Sequence, residues 1–219
     1  MKEFQADGRT ISGYLAVPEQ GSGPGVLVLH AWWGLTDVFK QVCDRLAREG
    51  FIALAPDLYH GKTTTSIDEA EELASERIMS EEVFQDLAAS IDYLLKQPGR
   101  GGKALGAIGF SLGGFWALGL SDQMAALVTF YGTTPLERVK AKADILGHFA
   151  EHDDFEPVEQ VRQFEEDLRS SGRHASFFLY PGTHHWFFEE NRPEYDAEAA
   201  RITWERTIEF LHQRLDEAE

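Results

Sequence analysis

The stretch Gly109-Phe110-Ser111-Leu112-Gly113, followed at once by Gly114, decides the fold of this 219-residue chain. Residues 104–108 before it form a short apolar run typical of a buried strand. Residues 114–120 after it are apolar on every face, as in a helix buried against a sheet. A G-x-S-x-G pattern between a strand and a helix predicts a nucleophile elbow, in which glycines leave room for a tight turn that lifts the serine above the sheet. A glycine-rich turn with an incidental serine is the alternative.

Strand-like and helix-like stretches alternate from residue 26 to the end of the chain, without a repeat or a linker. We therefore predict one α/β domain over residues 1–219, with a mostly parallel, doubly wound sheet of about seven strands and helices on both faces. Residues 10–17 alternate in polarity and end at Pro18, which predicts a half-exposed edge strand.

Composition excludes several classes of protein. The formal net charge is −17, from 37 acidic and 20 basic residues, and such a surface repels nucleic acid. The only cysteine, Cys43, cannot form an internal disulfide, which is typical of a reducing compartment, and its helical spacing with apolar neighbours predicts packing. There is no signal-peptide pattern and no run of roughly 18 apolar residues. We expect a cytoplasmic protein, monomer or homodimer, with no nucleic-acid or membrane partner.

The candidate catalytic residues follow from the order of the strands. In a doubly wound sheet, ligands bind where the strands end at their carboxyl termini. A serine nucleophile needs a base, and the base needs an acid to orient it, in the chain order serine, acid, histidine. Asp153 and Asp154 follow one predicted strand, and His184 and His185 follow the last one. Asp153 is preferred because it lies closer to its strand end, and His185 is preferred over His184.

The same strand ends supply the rest of the predicted site. An oxyanion needs N–H donors, and we expect them from the backbones of Leu112, directly after the serine, and Trp32, in the loop after the strand at 26–29. The polar, acidic segment at 60–80 follows another strand end and is a candidate cap beside the site. The substrate pocket is predicted to be lined by His30, Trp33, Tyr59, Arg77 and Trp186.

Metal and phosphate chemistry are the competing interpretations of these loops. His148, His152, His184 and His185 fall in two of them, but neither an H-E-x-x-H motif nor a cysteine pair is present. Phosphate-binding glycine motifs do not follow any predicted strand. We therefore expect neither a metal nor a cofactor.

Motifs along the chain resemble the dienelactone hydrolase family of α/β-hydrolases, over roughly residues 10–210. The resemblance implies the α/β-hydrolase fold, with Ser111 as nucleophile, Asp153 as acid, His185 as base, and Trp32 and Leu112 as oxyanion donors. The motifs that carry it are Ala55-Pro56-Asp57-Leu58-Tyr59, the elbow at 109–114, Phe130-Tyr131-Gly132, Asp153-Asp154-Phe155-Glu156-Pro157 and Tyr180-Pro181-Gly182-Thr183-His184-His185-Trp186-Phe187.

The chain departs from the pattern of that family in its nucleophile and its charges. The family usually has a cysteine nucleophile controlled by a glutamate in the first strand-end loop, where this chain has Ser111 and Ala31. The arginines that bind a dienelactone carboxylate in founding members have no clear match: Arg77 is a candidate, but Glu189 stands four residues after His185. The resemblance implies a serine hydrolase and leaves the dienelactone substrate in question.

The predicted function is hydrolysis of a small carboxylic ester, lactone or thioester through a Ser–His–Asp triad and an acyl-enzyme. One alternative is a non-catalytic scaffold that binds a metabolite or a partner protein. Another is the same triad used for acyl transfer or perhydrolysis.

Overall fold

The structure, a computed structural model, describes residues 1–6, 9–140 and 143–215. Its strands are β1 (Lys2–Ala6), β2 (Arg9–Ala16), β3 (Gly23–Leu29), β4 (Ile52–Pro56), β5 (Arg100–Phe110), β6 (Ala126–Phe130), β7 (Asp144–His152) and β8 (Ala175–His184). Its α-helices are α1 (Asp37–Arg48), α2 (Ile67–Arg77), α3 (Glu81–Leu95), α4 (Leu112–Gly119), α5 (Val158–Ser170) and α6 (Ala197–Leu215).

The strands form one eight-stranded sheet in the order β1-β2-β4-β3-β5-β6-β7-β8. The two pairings that involve β2, with β1 and with β4, are antiparallel, and all the others are parallel. The strands from β3 to β8 therefore end at the same edge of the sheet. This is the mostly parallel α/β-hydrolase architecture that the sequence predicts.

Two apolar layers cover the sheet, as the alternation along its central strands dictates. In β3, Val26 and Val28 face the layer built with α1 and α6, while Leu27 and Leu29 face the layer built with α3, α4 and α5. All four side chains have 0% exposure. Helices on both faces thus follow from a strand that is apolar at every position.

The predicted edge strand at 10–17 is wrong in one respect. It corresponds to β2, but β1 pairs with its outer side from Lys2↔Gly13 to Ala6↔Arg9, so β1 forms the edge and the sheet has eight strands. In β1, Phe4 is buried and its ring stacks on Tyr93 with centroids 4.3 Å apart. One apolar anchor in a short polar stretch leaves no alternation for a sequence pattern to detect.

The acidic segment at 60–80 contains α2 and lies against the loop that follows β3. The N–H of Thr64 donates to the carbonyl oxygen of Trp33 at 3.1 Å, and the indole N–H of Trp116 donates to the carbonyl oxygen of Ile78 at 3.1 Å. Both ends of the segment are therefore attached to elements that border the strand ends. Over the described ranges, no helix is long and apolar enough to cross a membrane.

Candidate active site

The elbow holds Ser111 in a conformation that few side chains adopt. Its φ is +52°, between the last residue of β5 and the first residue of α4. A Cβ at Gly109 would overlap the carbonyl of Gly113, and a Cβ at Gly113 would overlap the carbonyl oxygen of Leu29. The two glycines are therefore required by close backbone contacts on both sides of the serine.

A hydrogen-bonded chain of side chains begins at this serine. The Ser111 Oγ lies 2.9 Å from His185 Nε2, and His185 Nδ1 lies 2.7 Å from Asp153 Oδ2. The Asp153 side chain has 0% exposure and that of His185 6%. When Nδ1–H donates to the carboxylate, Nε2 is left to accept the proton of the serine hydroxyl. The arrangement can therefore activate Ser111 as a nucleophile.

The register of the last two strands explains why these residues meet. His152 of β7 pairs with His184 of β8, so the next residues, Asp153 and His185, leave the sheet side by side. Asp154 and His184 are both exposed. The structure thus brings together the preferred member of each predicted pair.

The second oxygen of the aspartate fixes its loop. Asp153 Oδ1 accepts from the N–H groups of Phe155 at 2.9 Å and Glu156 at 3.0 Å. Glu156 in turn accepts from the N–H and the hydroxyl of Thr133, both at 2.9 Å, and burial raises its pKa to about 7. These bonds tie the acid loop to the segment that follows β6, so the carboxylate is held in place for His185.

The two predicted oxyanion donors border the serine from different elements. Leu112 is the first residue of α4, where N–H groups have no partner within the helix and the helix dipole is positive. Trp32 follows β3 in a turn closed by the N–H of Gly34, which donates to the carbonyl oxygen of Ala31 at 3.2 Å. The role of both N–H groups stays a prediction.

Aromatic rings surround the histidine, and one of them was not predicted to line the pocket. Phe155 is 51% exposed, and its ring centroid lies 4.9 Å from that of His185 and 5.5 Å from that of Trp32. Trp186, which was predicted, stacks on Trp32 at 5.9 Å. The position of Phe155, two residues after Asp153, was the available signal.

Three other predicted pocket residues lie behind the loops instead of at their surface. His30 has 0% exposure, Tyr59 1% and Trp33 2%. His30 Nε2 accepts from the N–H of Leu58 at 3.3 Å, which joins the loops after β3 and β4. These buried side chains therefore present almost no surface to a substrate in this structure.

Arg77, the candidate carboxylate-binding arginine, forms an ion pair with Glu82. Its side chain is 17% exposed. One terminal nitrogen of this guanidinium is therefore already engaged by a carboxylate of the same chain.

One of the histidines that suggested a metal site, His148, is bound within the core. His148 is wholly buried, with its ring nitrogens 2.9 Å from the Tyr180 hydroxyl and 3.1 Å from the Thr207 hydroxyl. Burial, helped by Arg206, lowers the pKa of His148 to about 3, so this ring stays neutral. No group of three or more potential metal ligands occurs among the residues that the structure describes.

The sequence placed Glu189 near the site, but it did not show that this carboxyl is buried or which group it contacts. Glu189 is 1% exposed, and its Oε1 accepts from the hydroxyl of Tyr131 at 2.9 Å. Burial raises the pKa of Glu189 to about 8. Tyr131 and Glu189 are 58 residues apart, so only the fold shows that they meet.

This raised pKa predicts a pH-dependent stability. In the unfolded chain Glu189 ionises above its ordinary pKa of 4.5, whereas in the fold it stays protonated up to about 8. Its contribution to the free energy of unfolding is thus lost as pH rises through that window. The melting temperature of Glu189→Gln minus that of the wild type should increase between about pH 5 and about pH 8.5. The control is Glu190→Gln, at the exposed neighbouring residue, whose melting temperature minus that of the wild type should stay constant over this pH range. A constant difference for both variants would contradict the prediction.

Fold and site together define the class of protein: an α/β-hydrolase, an enzyme that acts on esters or lactones. The profile of the dienelactone hydrolase family matches residues 11–215. The chain therefore belongs to the dienelactone hydrolase family.

Individual relatives cover nearly the whole chain. "Protein usf" of Aquifex pyrophilus is 34% identical over 98% of each chain. The "Putative carboxymethylenebutenolidase" of Aquifex aeolicus is 32% identical over 96% of each chain. Among solved structures, the "Putative Dienelactone Hydrolase" of Klebsiella pneumoniae superposes with a TM-score of 0.84 at 25% identity, covering 97% of this chain and 98% of that one.

Proposed function

We propose that this chain hydrolyses a small carboxylic ester, lactone or thioester with Ser111 as nucleophile, His185 as general base and acid, and Asp153 as the acid that orients His185. The observation that carries the proposal is the unbroken chain of two short contacts, 2.9 Å and 2.7 Å, between these side chains. A serine hydroxyl is a poor nucleophile without such a base.

The proposed reaction runs in two halves. His185 Nε2 takes the hydroxyl proton as Ser111 Oγ bonds to the carbonyl carbon, and the N–H groups of Trp32 and Leu112 stabilise the oxyanion. The leaving oxygen or sulfur takes that proton from His185 as its bond to carbon breaks, which leaves an acyl-enzyme. A water molecule, deprotonated by His185, then attacks the acyl carbon, and Ser111 regains its proton as the acid departs.

The charges near the site favour a substrate without a carboxylate. Arg77 is paired with Glu82, and the position four residues after His185 holds Glu189, which is 1% exposed and bonded to Tyr131, so neither position offers a free cation to a substrate carboxylate. The exposed ring beside the histidine belongs to Phe155. We therefore propose an uncharged ester or lactone, with the segment at 60–80 as a cap over the pocket.

A panel of p-nitrophenyl esters of increasing acyl length tests this proposal. We expect turnover of the short esters, and its complete loss after treatment with a serine-reactive fluorophosphonate. Turnover that survives the reagent, or no turnover of any ester, would contradict it.

Removing the ring beside the histidine should weaken substrate binding. An aromatic contact contributes about 0.5–1.5 kcal/mol, so Phe155→Ala should raise KM for an aryl ester roughly two- to tenfold, with a smaller change in kcat. Phe178→Ala is the matched control, because Phe178 is 36% exposed on β8 and packs on Arg206 with 4.1 Å from the guanidinium to the ring centroid. Equal KM values in both variants would exclude a pocket role for Phe155.

A further inference from the structure

Tyr131 is buried beside the His185 ring and directly follows the residue that binds the backbone of Ser111. It has 0% exposure and a φ of +39°, directly after the end of β6. Its ring centroid lies 4.8 Å from that of His185. The preceding residue, Phe130, accepts from the N–H of Ser111 at 2.9 Å. The strained backbone of Tyr131 is thus held between the backbone of the serine and the ring of the histidine.

Glu189 connects the tyrosine to the other side of that histidine. Its Oε1 accepts from the Tyr131 hydroxyl at 2.9 Å, and its backbone N–H donates to the carbonyl oxygen of Trp186 at 2.9 Å. Trp186, directly after His185, has a φ of +68°. Glu189 therefore belongs to the same tight turn as the histidine.

These contacts form a closed loop. Tyr131 contacts the His185 ring directly, and its hydroxyl is attached through Glu189 to the turn that carries His185. A rotation of the imidazole away from Ser111 would have to displace the Tyr131 ring or stretch the hydrogen bond from the Tyr131 hydroxyl to Glu189. Asp153 contacts the imidazole only at Nδ1, whereas the Tyr131 ring packs against it at a tilt of 55°.

We propose that Tyr131 and Glu189 form a positioning pair that holds the His185 ring in the orientation from which Nε2 reaches Ser111. The inference rests on the proposed catalytic role of Ser111 and His185. Neither member of the pair presents surface to a substrate, since they are 0% and 1% exposed. The pair therefore acts on the rate of the chemical step and not on substrate binding.

The charged surroundings of Glu189 determine which substitution mimics it. Arg192 is the nearby cation, with its guanidinium 4.1 Å from the ring centroid of Trp33, and Glu194 lies 3.7 Å from Arg192. Burial outweighs the attraction of Arg192 and raises the pKa of Glu189 to about 8. Near pH 7 the side chain is mostly the neutral acid, so glutamine preserves both its charge and its acceptor oxygen.

The test is a double-mutant cycle on kcat. Tyr131→Phe removes only the hydroxyl, and Glu189→Ala removes its acceptor; each should lower kcat about tenfold or more at nearly constant KM, because a small misplacement of a catalytic group is costly. The double variant should lose no more than the worse single variant, since both remove one hydrogen bond. Glu189→Gln should stay within about threefold of the wild type, as should the exposed control Glu190→Gln.

Two further measurements keep the outcomes distinct. Melting curves recorded by circular dichroism verify that each variant folds. If Glu189→Ala does not fold, the proposal is tested by the kcat of Tyr131→Phe compared with that of Glu189→Gln. The rate of labelling by a fluorophosphonate should fall together with kcat. Three results would overturn the proposal that this pair positions His185. They are a wild-type kcat in Tyr131→Phe, additive losses of kcat in the double variant, and a Glu189→Gln variant as slow as Glu189→Ala. Failure of the catalytic proposal would show separately, as an active Ser111→Ala enzyme.

Discussion

Ser111→Ala should lower kcat for a short p-nitrophenyl ester by about 10³-fold or more. Without Oγ the acyl-enzyme cannot form, and His185 has no hydroxyl proton to accept. The fold should survive, because alanine lacks only the oxygen atom that lies 2.9 Å from His185 Nε2. The measurement is steady-state hydrolysis by the purified variant, with its melting curve recorded beside that of the wild type.

The matched control for this substitution is Ser22→Ala, at an exposed serine in the turn before the central strands. It should leave both kcat and the melting temperature unchanged. A Ser111→Ala variant that folds and keeps more than about a tenth of the wild-type kcat would mean that another group performs the reaction.

Gly113→Ala should destabilise the protein and inactivate it. The added Cβ would overlap the carbonyl oxygen of Leu29, a backbone atom of the neighbouring strand that cannot swing away. Overpacking of this kind costs about 3 kcal/mol, which corresponds to a melting temperature lower by roughly 6–12 °C for a chain of this size. The elbow must move to relieve the overlap, and a shift of about 1 Å can cost about 10²-fold in rate.

Gly101→Ala is the control for this second substitution. A Cβ at Gly101 would have its nearest neighbour, the carbonyl carbon of Gly23, 3.8 Å away, which is an ordinary contact. Its melting temperature should match that of the wild type within about 2 °C. If Gly113→Ala and Gly101→Ala had the same melting temperature and hydrolysed esters at the same rate, the close approach of the elbow to β3 would be wrong.

The residues of the proposed triad were predictable from one local motif and from the order of the strands. The elbow at 109–114 combines glycines required by backbone contacts with an apolar strand and helix on either side. Asp153 and His185 were found from the chain order of a parallel sheet, since residues that follow adjacent strands must emerge at the same edge. The periodicity of apolar residues and the order of the strands were therefore sufficient to predict both the fold and the residues of the proposed triad.

The features that escaped prediction depend on contacts between distant parts of the chain. Phe4 is the one buried side chain among those that the structure describes in β1, so the edge of the sheet was assigned to the wrong strand. His30 and Tyr59 follow strand ends, as pocket residues do, but contacts with the rest of the fold bury them almost completely. Tyr131 meets Glu189 across 58 residues, and no local pattern encodes that hydrogen bond.

The central claim is that Ser111 becomes acylated by way of His185, and mass spectrometry tests it most directly. After brief exposure of the folded protein to a fluorophosphonate, the account predicts a single covalent adduct, located on the peptide that contains Ser111. It also predicts that His185→Ala slows the formation of this adduct by about 10²-fold or more. An adduct on another residue, no adduct at all, or labelling of Ser111 at an unchanged rate in His185→Ala would contradict the account.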